Sequence, residues 1–221
     1  MEPDLSAAFR EAARDIGVDL GERELLLFAK YGAALRLWNE KMNLVSVHDE
    51  ADLYFKHFLD ALTPVPLLPN TSLRILDIGT GPGLPGIPMK IAVDAWHLSL
   101  LEASRKRTSF MKDAIGQLAL KNISVIHDRV EALIERGQEH QSFDAVISRA
   151  TFKLPQLIKI ACHFINPGGR LVAMKGLIPE PEWVEAVQVS EKTGLLHDRT
   201  HEIFLPASNT PRKILIYKKL K

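Results

Sequence analysis

"LDIGTGPGLPGIPMK", residues 76–90, decides the fold. A stiff apolar run ends at Asp77, four glycines and three prolines punctuate the next stretch of chain, and a helix-like segment begins beyond them. Strand, glycine-rich turn and helix open a βαβ unit. The same alternation continues downstream. "HLSLLE" (97–102), "ISVIH" (123–127), "FDAVIS" (143–148) and "GGRLVAMK" (168–175) are strand-length apolar runs, and amphipathic segments such as "SRKRTSFMKDAIGQLAL" (104–120) lie between most of them. Such a pattern predicts a parallel sheet with helices on both faces. A further helix is predicted over about 180–192, after which the ending changes. "LHDRTHEIFLP" (196–206) and "RKILIYKKL" (212–220) are strand-like runs joined by "ASNTP", too short for a helical crossover, and predict an antiparallel hairpin. The expected fold class is therefore α/β: a Rossmann-like, doubly wound sheet, mostly parallel, with a C-terminal antiparallel hairpin.

Upstream of the loop the period is helical. In 22–38, Leu27, Phe28, Tyr31, Ala34, Leu35 and Trp38 mark one helical face, and in 49–62 Tyr54, Phe58, Ala61 and Leu62 repeat it after the acids of "HDEAD". "TPVPLLPN" (63–70) then breaks the chain. Residues 1–70 are expected to form a helical segment packing on a main domain of residues 71–221.

At 221 residues the chain is long enough to bury a full core without staples. One cysteine, Cys162, excludes an intramolecular disulfide and suits a reducing compartment; it is expected to be buried in "IACHFI". No secretory signal or membrane-length apolar run is present, so a cytoplasmic, unanchored protein is expected, and nothing demands more than a monomer. Net charge is +1, but basic residues cluster at 105–107 and over "RKILIYKKLK" (212–221), which either solubilise the surface or form a patch for nucleic acid.

The loop itself is ambiguous. "GPGLPG" (81–86) satisfies the G-x-G-x-x-G pattern of a nicotinamide dinucleotide site, where backbone amides at a helix start hold a pyrophosphate. Pro82 and Pro85 remove two of those donors. Counted one step earlier, Asp77, Gly79, Gly81 and Gly83 form D-x-G-x-G-x-G, in which bare backbone lets a ligand approach closely and the carboxylate can accept from an ammonium group. S-adenosylmethionine carries such an ammonium and no phosphate. Glu102, 23 positions past Gly79, stands where doubly wound folds place an acid against a ribose; the plainer reading is a helix-start acid. In "DRVEAL", Val130 would supply an apolar wall and Glu131 an acceptor for an adenine. The fourth strand is followed by "SRA" (148–150), without the Asn or Asp and two prolines that orient an exocyclic amine for methylation. The target is then an atom needing no proton removed, and guanine N7 is a bare acceptor of that kind.

Together these stretches, with "WNEKMNLVS" (38–46), "HFLDAL" (57–62), "ISRA" (147–150) and "MKG" (174–176), resemble the bacterial small-subunit ribosomal RNA guanine-N7 methyltransferases, the glucose-inhibited division protein B family. The resemblance runs from about residue 22 to near the C-terminus. It implies a class I methyltransferase fold that uses S-adenosylmethionine to methylate N7 of one guanine in the decoding-region loop of 16S ribosomal RNA, with that RNA or the small subunit as partner. Matched by position, it implies cofactor contacts from Gly79, Gly81, Leu84, Val130, Glu131 and Arg149, with Glu102, Ala103 and Ser104 at the ribose edge. Two positions depart from the family pattern: Ala61 replaces a usual serine, and Thr151 a frequent aromatic.

The remaining polar residues carry two readings each. Arg149 either holds a cofactor carboxylate or an RNA phosphate, or makes a structural ion pair. His57 and Asp60, at i and i+3, are a satisfied polar pair or, with Asn39, substrate-side residues by resemblance. Lys175 meets RNA phosphate or caps the sheet edge. His197 and His201 lack the glutamate of H-E-x-x-H and lie in a strand-like run, so no metal site is expected. The competing functions are a nicotinamide-dependent oxidoreductase and a non-enzymatic RNA-binding scaffold on the same fold.

Overall fold

The computed structural model describes residues 3–149, 151–205 and 211–220. One seven-stranded sheet runs through it in the order β3-β2-β1-β4-β5-β7-β6. Strands β1 (Arg74–Ile78), β2 (His97–Glu102), β3 (Ile123–His127), β4 (Phe143–Arg149) and β5 (Ile165–Lys175) pair in parallel. Strands β6 (Leu195–Ile203) and β7 (Arg212–Lys219) form the expected antiparallel hairpin, with β7 antiparallel to β5. The connection at 206–210, most of "ASNTP", lies outside the described residues, as does Ala150. Strand order reverses between β1 and β4, and ligands of open α/β sheets bind at the carboxyl ends of the strands beside such a reversal.

Alternation along each buried strand builds two cores. Ile75, Leu98, Ile147 and Ile214 face one side, where they meet α5 (Gly86–Ala92), α6 (Arg105–Gln117) and the N-terminal helices. Leu76, Ile78, Val146 and Leu215 face the other, covered by α7 (Val130–Glu135), α8 (Leu154–Phe164) and α9 (Glu180–Thr193). Helices α1 (Pro3–Asp15) and α2 (Glu22–Met42) therefore share a core with the sheet. Phe9, Phe28, Tyr54 and Phe58 pack edge-on or tilted, and Tyr31 bridges this aromatic cluster to Phe110 of α6.

Two local features differ from the sequence expectation. The helical pattern over 49–62 resolves into α3 (Glu50–Asp52), a π-helical turn (Leu53–Phe58) and α4 (Leu59–Leu62), the Leu59 amide reaching back to the Tyr54 carbonyl. Apolar spacing alone does not separate a π turn from an α turn, because both bury Tyr54 and Phe58. Cys162 is half-buried rather than buried, its thiol donating to the Thr193 carbonyl at 3.2 Å. No helix among the described residues is long and apolar enough to cross a membrane.

Candidate active site

The turn after β1 uses its own amides. Gly79 and Thr80 donate to the Leu101 carbonyl, Gly81 to Glu102 Oε2, Gly83 and Leu84 to the Thr80 carbonyl, and Gly86 to Asp77 Oδ2. Pro82 and Pro85 have no N–H to give. No amide from 79 to 86 is left to cage a diphosphate, which counts directly against the nicotinamide reading of "GPGLPG". What the turn presents outward is bare main chain. Gly81 adopts φ +61° with nothing within 4 Å of where a Cβ would stand, and Gly79 adopts φ +68° with the Thr151 side chain lying against it.

Asp77 anchors this turn from below. It is fully buried; Oδ2 accepts from the Thr80 hydroxyl at 2.5 Å and the Gly86 amide at 2.8 Å, while Oδ1 has no partner. Burial pushes its carboxyl up to about 6 against the pull of these bonds and of the Arg149 charge. Tyr31 in α2 donates to the Pro82 carbonyl at 2.9 Å, so an N-terminal helix also holds the turn; burial drives its phenol strongly upward. Sequence spacing marked Tyr31 only as an apolar-face residue.

A cleft of about 350 Å³ opens beside the turn at the ends of β1, β2 and β3. It gathers five of the residues singled out from the sequence: Gly79, Glu102, Ala103, Val130 and Glu131. Glu102 is buried, its oxygens accepting from Gly81 N at 3.0 Å and Ser104 N at 2.8 Å, with Arg107 at 3.7 Å. Each carboxylate oxygen retains a further lone pair, so the residue can still accept from a ligand. Val130, with Ile78 and Leu101, gives the cleft an apolar wall. Leu84 is not in this wall: it is buried in the core beneath the turn.

Arg149 lies on a second cavity, of about 260 Å³, at the ends of β4 and β5 and the start of β7. His57, Asp60 and Lys175 line it too, joined by Lys56, Arg212 and Lys213. Asp60 is buried and pairs with Arg149 at 3.2 Å and Arg212 at 3.1 Å, so its partners are two arginines and not His57. His57 Nε2 faces the Ser46 carbonyl at 3.1 Å, and burial lowers its pKa. Lys175 donates to the Phe152 carbonyl, lies 3.8 Å from Glu182, and is also shifted down by burial. Asn39 is placed elsewhere: its Oδ1 accepts from the Val45 amide at 2.9 Å and closes the end of α2.

The basic C-terminal stretch is not one cluster. Arg212 and Lys213 stand at the cavity, whereas Lys219, at the opposite end of β7, donates to the Cys162 and Ile165 carbonyls. Arg105, Lys106 and Arg107 are exposed at the start of α6, on the edge that carries both cavities. His197 and His201 both lie in β6, and no group of three or more His, Cys, Asp or Glu that could hold a metal is found among the described residues.

The relatives of this chain decide the family. The model of rRNA small subunit methyltransferase G matches residues 24–209. The chain belongs to the rRNA small subunit methyltransferase G family. It is 38% identical over 212 residues to Ribosomal RNA small subunit methyltransferase G of Syntrophus aciditrophicus (strain SB), covering 96% of this chain and 88% of that one. Among solved structures, the precorrin-6y C5,15-methyltransferase of Geobacter metallireducens GS-15 superposes with a TM-score of 0.56 at 15% identity, over 72% of this chain and 87% of that chain. M. jannaschii TYW2 in complex with AdoMet gives 0.55 at 16%, over 70% and 71%. At these identities the likeness to solved structures shows the fold, which is that of the class I methyltransferases.

Proposed function

We propose that this protein transfers a methyl group from S-adenosylmethionine to N7 of one guanine in the decoding-region loop of 16S ribosomal RNA, acting as a cytoplasmic monomer. The observation that carries this reading is the turn after β1, whose amides are all spent internally and whose outer surface is bare glycine backbone. Such a turn suits a ligand without phosphates.

The residues present fit that cofactor. Asp77 Oδ1 is a buried, unpartnered acceptor under the turn, Glu102 has lone pairs to spare at the end of β2, and Val130, Ile78 and Leu101 form an apolar wall. When bound, S-adenosylmethionine supplies an electrophilic methyl group on sulfur. Glu102 would hold ribose hydroxyls, with Ala103 and Ser104 beside it, and Val130 and Glu131 would flank the adenine. Gly79 and Gly81 give close main-chain approach. Leu84 is read as supporting the turn from the core, and Arg149 as facing the RNA.

The second cavity is the acceptor side. Arg149, Arg212 and Lys213 present donors to RNA, while the Asp60 carboxylate fixes both arginines. Ser148 is not available as a base, since it is buried and donates to the Ile78 carbonyl at 2.9 Å. Guanine N7 needs none, so alignment and exclusion of water are what the chain must provide. Residues 1–70 act here as a cover on the main domain, holding the turn through Tyr31 and the arginines through Asp60.

Reverse-transcription mapping of N7 methylation in 16S RNA from cells with and without the protein tests the proposal. One guanine losing its modification when the protein is absent supports it; an unchanged pattern overturns it. Calorimetry with S-adenosylmethionine and with NAD separates the rivals: a scaffold binds RNA and neither cofactor.

A further inference from the structure

Two large apolar side chains stand in solvent beside the acceptor cavity. Phe204, immediately after β6, is 69% exposed, and Leu177, two residues past the end of β5, is 86% exposed. The sheet register puts both positions at the end of the sheet that carries the cavity. Lys175, the last residue of β5, pairs with Lys213, and Ile203, the last of β6, pairs with Arg212. The chain therefore leaves β5 and β6 on either side of the start of β7, with strands two places apart separated by roughly 10 Å. Leu177 follows Gly176 of the cavity lining, and Phe204 follows Ile203, whose partner Arg212 also lines it, so both exposed residues adjoin a cavity that includes Lys56, Arg149, Arg212 and Lys213 among its lining residues.

The charges indicate what such a rim receives. Asp60 is the acid in the lining and holds the two arginines, while the acids paired with Lys56, Lys175 and Lys213, namely Asp52, Glu182 and Glu202, lie outside it. The Lys213–Glu202 pair is accessible on both sides; such a pair is worth little and is screened by salt, so an arriving phosphate can exchange for it at small cost. A basic groove edged by an exposed aromatic is how unpaired RNA is held, its phosphates on cations and its bases stacked on rings.

Resting on the reading of the site as an RNA methyltransferase, we infer that Phe204 is a stacking platform for an unpaired base next to the target guanosine, with Leu177 as the opposite lip and the neighbouring phosphate in the basic cavity. The acceptor strand is held open by this contact. A splayed nucleotide beside the target keeps the guanine edge turned toward the cofactor cleft instead of stacked within the loop.

The test compares wild type with Phe204→Ala, Phe204→Leu and Phe204→Trp. Phe204 is too exposed for these changes to unfold the protein, and S-adenosylmethionine calorimetry provides a check that the cleft is intact. Affinity for a short unpaired RNA oligonucleotide is measured directly, and KM and kcat are measured with small-subunit RNA. Phe204→Ala and Phe204→Leu should each weaken RNA binding and raise its KM roughly ten-fold or more, and Phe204→Trp should match or exceed wild type. If leucine restores what alanine loses, the rim is merely an apolar surface and stacking is overturned. If the wild type dimerises and Phe204→Ala abolishes the dimer while RNA affinity stays constant, the occupant is a second copy and the inference is likewise overturned. A wild type that methylates no guanine refutes the proposed function, and the oligonucleotide binding then still decides the stacking contact by itself.

Discussion

Arg212 at the start of β7 donates its Nε to Asp60 of α4 across 3.1 Å, although the two stand 152 positions apart in the chain. The other Asp60 oxygen takes Arg149 of β4 at 3.2 Å. One buried carboxylate thus ties the helical segment to two strands of the sheet at the second cavity. Removing one partner of a buried pair leaves the others uncompensated, at about 3–5 kcal/mol. Arg212 is about one-third exposed and can rehydrate. Asp60→Ala should therefore cost roughly 3 kcal/mol, the low end of that range, read as a lowered urea midpoint with unchanged slope. An unaltered midpoint would show that the triad contributes nothing to the docking of residues 1–70.

Glu102 lines the cleft proposed for the cofactor and holds the Gly81 amide with one oxygen and the Ser104 amide with the other. In Glu102→Ala both amides lose their acceptor and the cleft loses its candidate ribose ligand. Affinity for S-adenosylmethionine should fall at least about ten-fold by calorimetry, with Glu102→Gln intermediate because its amide keeps a single acceptor oxygen. Equal affinity in all three proteins would remove Glu102 from the site.

Gly79 shows why the turn admits no side chain at its first position. A Cβ there would sit 2.5 Å from Thr151 Cγ2 and 3.0 Å from Thr151 Cβ, on a backbone at φ +68°. Gly79→Ala should lose about 1–2 kcal/mol to the left-handed conformation and about 1–3 kcal/mol to the overlap. Adding Thr151→Gly relieves the overlap but not the conformation, so the double variant should recover part of the stability in urea denaturation. Full recovery would mean that strain at Gly79 is negligible, and none that Thr151 does not press on it.

The centre of the sheet is legible in the sequence because β1, β2 and β4 are largely buried on both faces, and their runs are near-continuously apolar between amphipathic helices. The cleft followed for the same reason: strand ends fix where Gly79, Glu102 and Val130 emerge, so chain order maps onto space. In the sequence Arg212 is only part of a basic tail, because its partner Asp60 is reached through tertiary folding and no spacing encodes it. Asn39 illustrates the converse. Only the family resemblance makes it a substrate-side candidate, and its Oδ1 accepts from the Val45 amide beyond the end of α2, where helical periodicity carries no information. The fate of the loop amides was half visible. Two prolines announce missing donors, but that the remaining ones turn inward depends on the carbonyls of Thr80 and Leu101 and on the carboxylates of Glu102 and Asp77.

Asp77 makes the last prediction, because its two oxygens have unequal surroundings. Oδ2 is satisfied by Thr80 and Gly86, Oδ1 by nothing, and the whole group is buried. Its carboxyl is pushed up from 3.8 to about 6, so between those pH values the folded protein holds a proton that the unfolded chain has released. Stability then falls as pH rises through that window, being fully present below about pH 4 and reduced above about pH 6 by an amount on the order of 3 kcal/mol. Asn at this position keeps an acceptor for Gly86 and Thr80 and carries no charge. Asp77→Asn should therefore equal wild type near pH 4 and exceed it progressively toward pH 7 in urea midpoints measured on both proteins. A difference that does not vary with pH would mean that burial does not set this carboxyl's ionisation.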